Sequence, residues 1–315
     1  MKLLVKRLIN SSKISSAEKE AFSGEKIYIL NTKLKVTVVG KNKQVEVWFA
    51  IPRSVKNQDL LENSFSKPEP KILKDEIYGN SVAYWVVRGL EEGDILTFTQ
   101  SSEVSVRPHY YKKIEGNIDN YRKDSIDYKL YVRSDHYFNS TDSRVQNIAN
   151  RLMGDEKKVE EIAKKFYEYV RENVNYGNPI EGLYSSIDSL EKDVVDCGGY
   201  TCLLGALLRS VGIPARLVSG VLAGYPGEHM HAWLEFMTPE EGWIPADPSS
   251  EKLRLQKRDF KPGGFGIVGN DRIILSLGAN IKIAKKTFPL VQLPIVEAVP
   301  STSVQPRRTI EAKQK

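Results

Sequence analysis

Three residues of this 315-residue chain, Cys197, His231 and Asp247, follow one another in the order that a thiol acyl-transfer enzyme uses. Cys197 sits in Asp196-Cys-Gly-Gly199, just ahead of Cys202-Leu-Leu-Gly-Ala-Leu-Leu-Arg-Ser-Val211. That run is apolar on nearly every face of a helix, and Gly212 with Pro214 stops it. Such a helix is buried. Its first N–H groups lack intrahelical partners and carry the positive end of the dipole, so the Cys197 thiol is expected to ionise more readily than a free one. The same N–H groups can hold the oxyanion of a tetrahedral intermediate, and the two glycines let backbone and substrate approach closely. Cys202, more than a turn further in, reads as an inert apolar side chain.

The imidazole and the carboxylate come from a hairpin. His231-Ala-Trp-Leu-Glu-Phe-Met237 alternates as a strand does, Thr238-Pro-Glu-Glu-Gly242 turns, and Trp243-Ile-Pro-Ala-Asp247 returns. With those turn residues unpaired, Met237 faces Trp243, Trp233 faces Asp247 and His231 faces Ser249. His231 and Asp247 are then diagonal neighbours on one face, about 7–8 Å apart at the backbone, which a side-chain hydrogen bond spans. A carboxylate so placed fixes the imidazole tautomer and stabilises the imidazolium. One residue of register slip would put the two on opposite faces.

His229-Met230-His231 also has the look of a chelating pair, since both imidazoles of a strand would point the same way and could join Cys197 or Asp247 around zinc. The signal is weak: the chain has four histidines and two cysteines, with no Cys-x-x-Cys and no His-Glu-x-x-His. No metal and no cofactor are expected. His229 lies one pleat farther from Asp247, which leaves His231 as the base and His229 as a rim residue.

Taken together, Cys197-Gly198, Gly212-Ile-Pro-Ala-Arg216, His231-Ala-Trp233, Trp243 and Asp247-Pro248 resemble the transglutaminase-like superfamily. The spacings of 34 residues from Cys197 to His231 and 16 from His231 to Asp247 fit it as well. The resemblance covers roughly residues 125–280, with its motifs at about 190–250. It implies an α+β, papain-like core in which Cys197 attacks a carboxamide or peptide carbonyl, His231 shuttles the proton and Asp247 orients the ring. Many members carry Gly two residues before the nucleophile, where this chain has Val195, and that departure bears on the oxyanion side of the site. No tryptophan matches the one that helps hold the oxyanion in animal transglutaminases. Tyr176 resembles a position commonly aromatic in the superfamily and reads as a packing residue, as do Trp233 and Trp243.

The expected activity is cysteine-dependent amide or peptide hydrolysis through a thioester. The alternatives are acyl transfer from glutamine to an amine, and a silent transglutaminase-like domain used for binding. The substrate is a peptide, a protein or another amide-bearing molecule, and the sequence leaves the oligomeric state open. Hydrophobic residues make up 41% and charged residues 27%, enough for a substantial core and more than one folded unit. Two cysteines, one of them read as catalytic, leave no pair for a structural disulfide and suit a reducing compartment. Met1–Ile9 is broken by Lys6 and Arg7 and lacks a signal-peptide core, and no apolar stretch reads as a membrane span, so a cytoplasmic location is expected. The net charge of +6 is held by residues 1–22 and 301–315, a net +3 in each, and the rest is neutral. Nothing in that distribution marks a nucleic-acid-binding face.

Short strands with turn signals fill the first third: Leu34–Val39, Val45–Phe49, Glu76–Tyr78, Val82–Val87 and Ile95–Thr99, with 55–70 as a long loop. Helical spacing begins near residue 140, first in Val145, Ile148, Ala149 and Leu152, then in Val159, Ile162, Ala163, Phe166, Val170 and Val174. Arg272–Leu277 reads as a closing strand, and Pro, Ser, Thr, Gln and charge dominate after about Pro294. The expected organisation is a flexible segment at 1–24, a β-sandwich-like domain at 25–120, a catalytic transglutaminase-like domain at 121–290 and a disordered tail at 291–315.

Overall fold

The computed structural model describes residues 22, 24–41, 44–111, 113–259 and 261–315. The expectation of flexibility for 1–24 falls almost wholly outside them. Two compact units result, and both are discontinuous in sequence. One is built from Pro108–Val218 and His231–Asn270, the other from Glu25–Arg107, Ser219–Met230 and Asp271–Lys315.

The second unit begins with six strands: β1 (Lys26–Val38), β2 (Gln44–Ile51), β3 (Gln58–Phe65), β4 (Lys71–Lys74), β5 (Ser81–Arg88) and β6 (Ile95–Val106). Within β1 the side chains of Leu30, Leu34, Val36 and Val38 are buried while Asn31, Lys33 and Lys35 are exposed, the period-two pattern of a strand with one dry face. Leu34, Val36 and Phe98 meet Val45, Val47, Phe49, Ala83 and Trp85 in one core. Ring centroids there lie 5.1 Å apart for Phe49 and Trp85 and 5.4 Å for Trp85 and Phe98. Two elements differ from the sequence expectation. Part of the expected loop at 55–70 is β3, a polar strand at the sheet edge that pairs with β6 through a bulge at Leu60/Glu62. Glu76–Tyr78 is a turn, because the Asp75 carboxylate accepts the N–H groups of Ile77, Tyr78 and Asn80.

The first unit holds β7 (His109–Tyr110), α1 (Ile126–Val132), α2 (Ser143–Met153), α3 (Val159–Asn173), α4 (Asp188–Glu191), α5 (Cys197–Ser210), β8 (Ala215–Leu222, whose second half is counted with the other unit), β9 (Met230–Thr238), β10 (Gly242–Ala246), α6 (Pro248–Leu255) and β11 (Ile267–Val268). The expected helices at 145–152 and 159–174 are α2 and α3. Asp142 caps α2 by accepting the Arg144 N–H. α1 through α4 and α6 surround α5, whose residues from Gly198 to Arg209 are all buried. Strand β9 lies between β10 and β8. At Gly205 of α5 a Cβ would fall 2.1 Å from Phe138 and 3.0 Å from Leu234 of β9, so only glycine lets the helix approach its neighbours this closely.

The chain then returns to the second unit as β12 (Arg272–Leu277), β13 (Ile281–Ile283), β14 (Lys286–Phe288), β15 (Ile295–Ala298) and β16 (Val304–Gln314). The sandwich sheets have the orders β16-β1-β6-β3 and β15-β2-β5-β4. The expected disordered tail at 291–315 is therefore corrected: β16 pairs antiparallel with β1 from Val304 to Gln314. An edge strand needs apolar side chains only on its inner face, and Ile310 and Ala312 supply them at 4% and 5% exposure. Composition averaged over both faces conceals that pattern. Among the described residues, no helix is long and apolar enough to cross a membrane.

Candidate active site

Asp196 is the N-cap of α5 and Cys197 its first residue. The Asp196 carboxylate accepts the N–H of Gly198 at 2.9 Å and that of Ile180 at 3.1 Å, and the Gly199 N–H also reaches it. Two of the helix-start donors expected for an oxyanion are thus already committed. Cys197 keeps part of its surface at solvent, whereas Cys202 is buried, as expected of an inert thiol.

The thiol's acidity departs from expectation. Burial pushes Cys197 up to about 12, and the Asp196 carboxylate beside it adds to the rise. N–H groups of Ala232 and Gly198 that reach the sulfur act in the opposite direction but do not offset it. Helix-start donors favour an anion only if the surroundings solvate it, and here the nearest charge is itself negative. Burial also raises Asp196, while its three backbone donors and the proximity of His231 lower it. Burial thus favours the neutral thiol.

His231 is the second residue of β9 and 6% exposed, and the next residue along the strand is Ala232, whose N–H reaches the Cys197 sulfur. The Nε2 of His231 lies 2.8 Å from Oδ2 of Asp247, a residue with no exposed surface. A carboxylate only accepts, so Nε2 carries a hydrogen, and in the neutral ring Nδ1 holds the lone pair. The Trp233 ring stacks on the imidazole, with centroids 6.1 Å apart and planes at 19°.

The hairpin register agrees with the sequence reading as far as it runs, with Met237 opposite Trp243 and Ala246 opposite Leu234. Gly242 also pairs with Thr238, so the turn is shorter than expected. Beyond Ala246 the ladder ends, and the expected pairing of His231 with Ser249 does not form. Instead Asp247 is the N-cap of α6, with Pro248 at the first helical position. Its Oδ1 accepts the Ser250 N–H at 3.0 Å and the Ser249 hydroxyl at 3.0 Å, and its own N–H donates to Gly264. The helix cap and the bond to the imidazole thus share one carboxylate. Asp247-Pro248 is a legible helix start, and it places Ser249 in the first turn of a helix rather than opposite His231, with Ser250, which strand alternation does not single out, beside it.

α6 is tied down on its far side. Tyr167 of α3 donates from its hydroxyl to the Asp247 carbonyl at 3.2 Å and to Glu251 at 2.5 Å. Arg171 pairs with Glu251 at 3.3 Å, and the Lys252 ammonium donates to the Val174 carbonyl at 2.6 Å. Tyr176 packs as expected, its ring 6.1 Å from that of Tyr200, and bridges Val195 in parallel. Burial raises its phenol. Val195 is fully buried, its N–H donating to the Asn175 carbonyl and its carbonyl accepting from Gly177. Trp243 packs edge-on against Tyr131 and lies under Arg216. His229 precedes β9, its Nε2 2.7 Å from the Pro226 carbonyl.

A thiol at the start of a buried helix, with an imidazole on a strand of the same unit bonded to a carboxylate that caps the next helix, belongs to the papain-like α+β class. Residues 146–248 match the family model of the transglutaminase-like superfamily, and the chain carries a domain of that superfamily. A structure of a candidate cysteine protease from Cytophaga hutchinsonii superposes with a TM-score of 0.64 at 16% identity, covering 93% of this chain and 91% of that one. At that identity the likeness is one of fold. Among curated proteins, Bacillus subtilis YebA is 28% identical over 173 residues, 45% of this chain and 23% of that protein. A protein-glutamine gamma-glutamyltransferase of Pseudomonas aeruginosa is 36% identical over 63 residues, 17% of this chain and 9% of that protein. The chain thus spans less than a quarter of the length of these relatives.

Proposed function

We propose that this chain is a cysteine-dependent hydrolase of peptide or protein amides, with Cys197 as nucleophile, His231 as general base and acid, and Asp247 as the group that orients the ring. The observation that carries this reading is the buried 2.8 Å contact of His231 with Asp247, one residue from an N–H that touches the Cys197 sulfur.

Because burial favours the neutral thiol, its proton leaves as the sulfur attacks. Nδ1 of His231 takes the proton, the S–C bond forms, and the carbonyl oxygen becomes an oxyanion beside the start of α5. With Gly198 and Gly199 turned to Asp196, the Cys197 N–H is the donor at hand for it. The imidazolium, steadied by Asp247, returns the proton to the departing nitrogen as the C–N bond breaks and leaves a thioester. Water, deprotonated by Nδ1, then attacks the thioester; the S–C bond breaks and the thiol regains a proton. An amine in place of water would give transfer, the reaction named for the Pseudomonas relative.

A glutamine-containing peptide library incubated with a fluorescent amine, followed by mass spectrometry, separates these outcomes. Cleaved or deamidated peptides from wild type and none from Cys197→Ala are expected. Peptides carrying the amine would shift the assignment to transfer, and absence of any product or thioester adduct with wild type would reject an enzymatic role.

A further inference from the structure

The Nε2 of His231 has a second polar neighbour that the triad does not use. The hydroxyl oxygen of Ser250, in the first turn of α6, lies 3.3 Å from it, and Ser250 is 5% exposed. The same residue gives its backbone N–H to Oδ1 of Asp247 at 3.0 Å. Ser250 therefore meets both members of the pair, the carboxylate through its main chain and the imidazole through its side chain. With Asp247 accepting at 2.8 Å, the Nε2–H is shared between Oδ2 and the Ser250 oxygen.

From this geometry we infer that Ser250 is a positioning residue for His231: its hydroxyl accepts a second share of the Nε2–H, which holds the proton on that nitrogen and keeps Nδ1 as the base. The inference rests on the proposed role of His231 as the base. The ring has two ways to lose this arrangement, a rotation about its χ2 and a proton shift to Nδ1. The rotation would put the Cδ2–H where Nδ1 stood, the proton shift would put an N–H there, and neither leaves a base. The bond to Asp247 restrains both. A second acceptor on the same side of the ring makes each alternative cost two contacts, and an imidazolium formed during the reaction strengthens both bonds. α6 can supply this oxygen at a fixed place because Tyr167, Arg171 and Lys252 hold the helix from outside the pair.

Ser250→Ala isolates the hydroxyl, since the backbone N–H to Asp247 is retained. Nitrogen-15 spectra of the histidine rings, with His231 assigned by comparison with His231→Gln, are expected to show one Nε2–H tautomer in wild type and a mixture in Ser250→Ala. Alkylation of Cys197 by iodoacetamide at pH 7.5 is expected to slow about fivefold, the effect of one modest hydrogen bond. Ser250→Thr, which restores the hydroxyl, should recover both signals, with thermal melting verifying that each variant is folded. If Ser250→Ala melts lower yet keeps the wild-type tautomer and rate, the residue is merely structural and the inference is lost. If His231→Gln labels as fast as wild type, the proposed role of His231 is lost instead, a result independent of the tautomer measurement.

Discussion

Replacing Asp196 by Asn should make Cys197 more reactive, although Asp196 belongs to the site. Cys197 stands at about 12 because burial and then the Asp196 charge oppose its anion. Asn still caps α5, accepting from Gly198, while the oxygen that meets Ile180 becomes an amide nitrogen. A like charge next to an ionising group is worth on the order of one pKa unit, so its removal should give about ten times more thiolate at any pH below the thiol's value. A more acidic thiol is also a weaker nucleophile, with a Brønsted slope of about 0.4–0.5, which takes back roughly threefold. The net expectation is alkylation of Cys197 about threefold faster at pH 8. The assay is the second-order rate with iodoacetamide, read by mass spectrometry of the two cysteine peptides, with buried Cys202 as internal control. Unchanged or slower labelling of Cys197 in a folded Asp196→Asn variant would refute the assignment of the raised thiol to that carboxylate.

Asp247→Ala removes the cap of α6 and leaves the imidazole, the Ser249 hydroxyl and the Ser250 N–H without their shared acceptor in a fully buried place. A loss of about 3 kcal/mol is expected from the cap and the stranded donors together, measurable by urea unfolding, and a loss below about 1 kcal/mol would contradict the shared-carboxylate geometry. Alkali should also destabilise the unit that holds Cys197. Burial raises Cys197, Cys202, Tyr121, Tyr167, Tyr176 and Tyr200 above their ordinary values of 9.0 for thiols and 10.0 for phenols. Groups raised on folding contribute stability that is complete below those values and lost as pH climbs toward the folded ones. The urea midpoint should fall between pH 8 and pH 11, and a level midpoint would count against burial of these groups.

The amino-acid order alone determined the class of site and the elements that carry it. Cys197 before an all-apolar run predicts a buried helix, and alternation from His231 to Met237 predicts a strand, because both depend on patterns of neighbours within a dozen residues. Even the register that puts Met237 opposite Trp243 follows from the turn sequence. The end of that hairpin was also written locally, in Asp247-Pro248, but alternation extended past its real limit hid the helix cap, misplaced Ser249 and passed over Ser250. Two other features were decided by the tertiary structure alone. The order of β16 comes from an eleven-residue pairing with β1, nearly three hundred residues earlier in the chain, which local composition cannot report. The acidity of Cys197 comes chiefly from the desolvation that packing imposes on the sulfur, to which the charge of Asp196, its neighbour in sequence, adds. A helix start supplies a favourable dipole in any context, but solvation is a property of the whole surroundings, and here it outweighs the dipole.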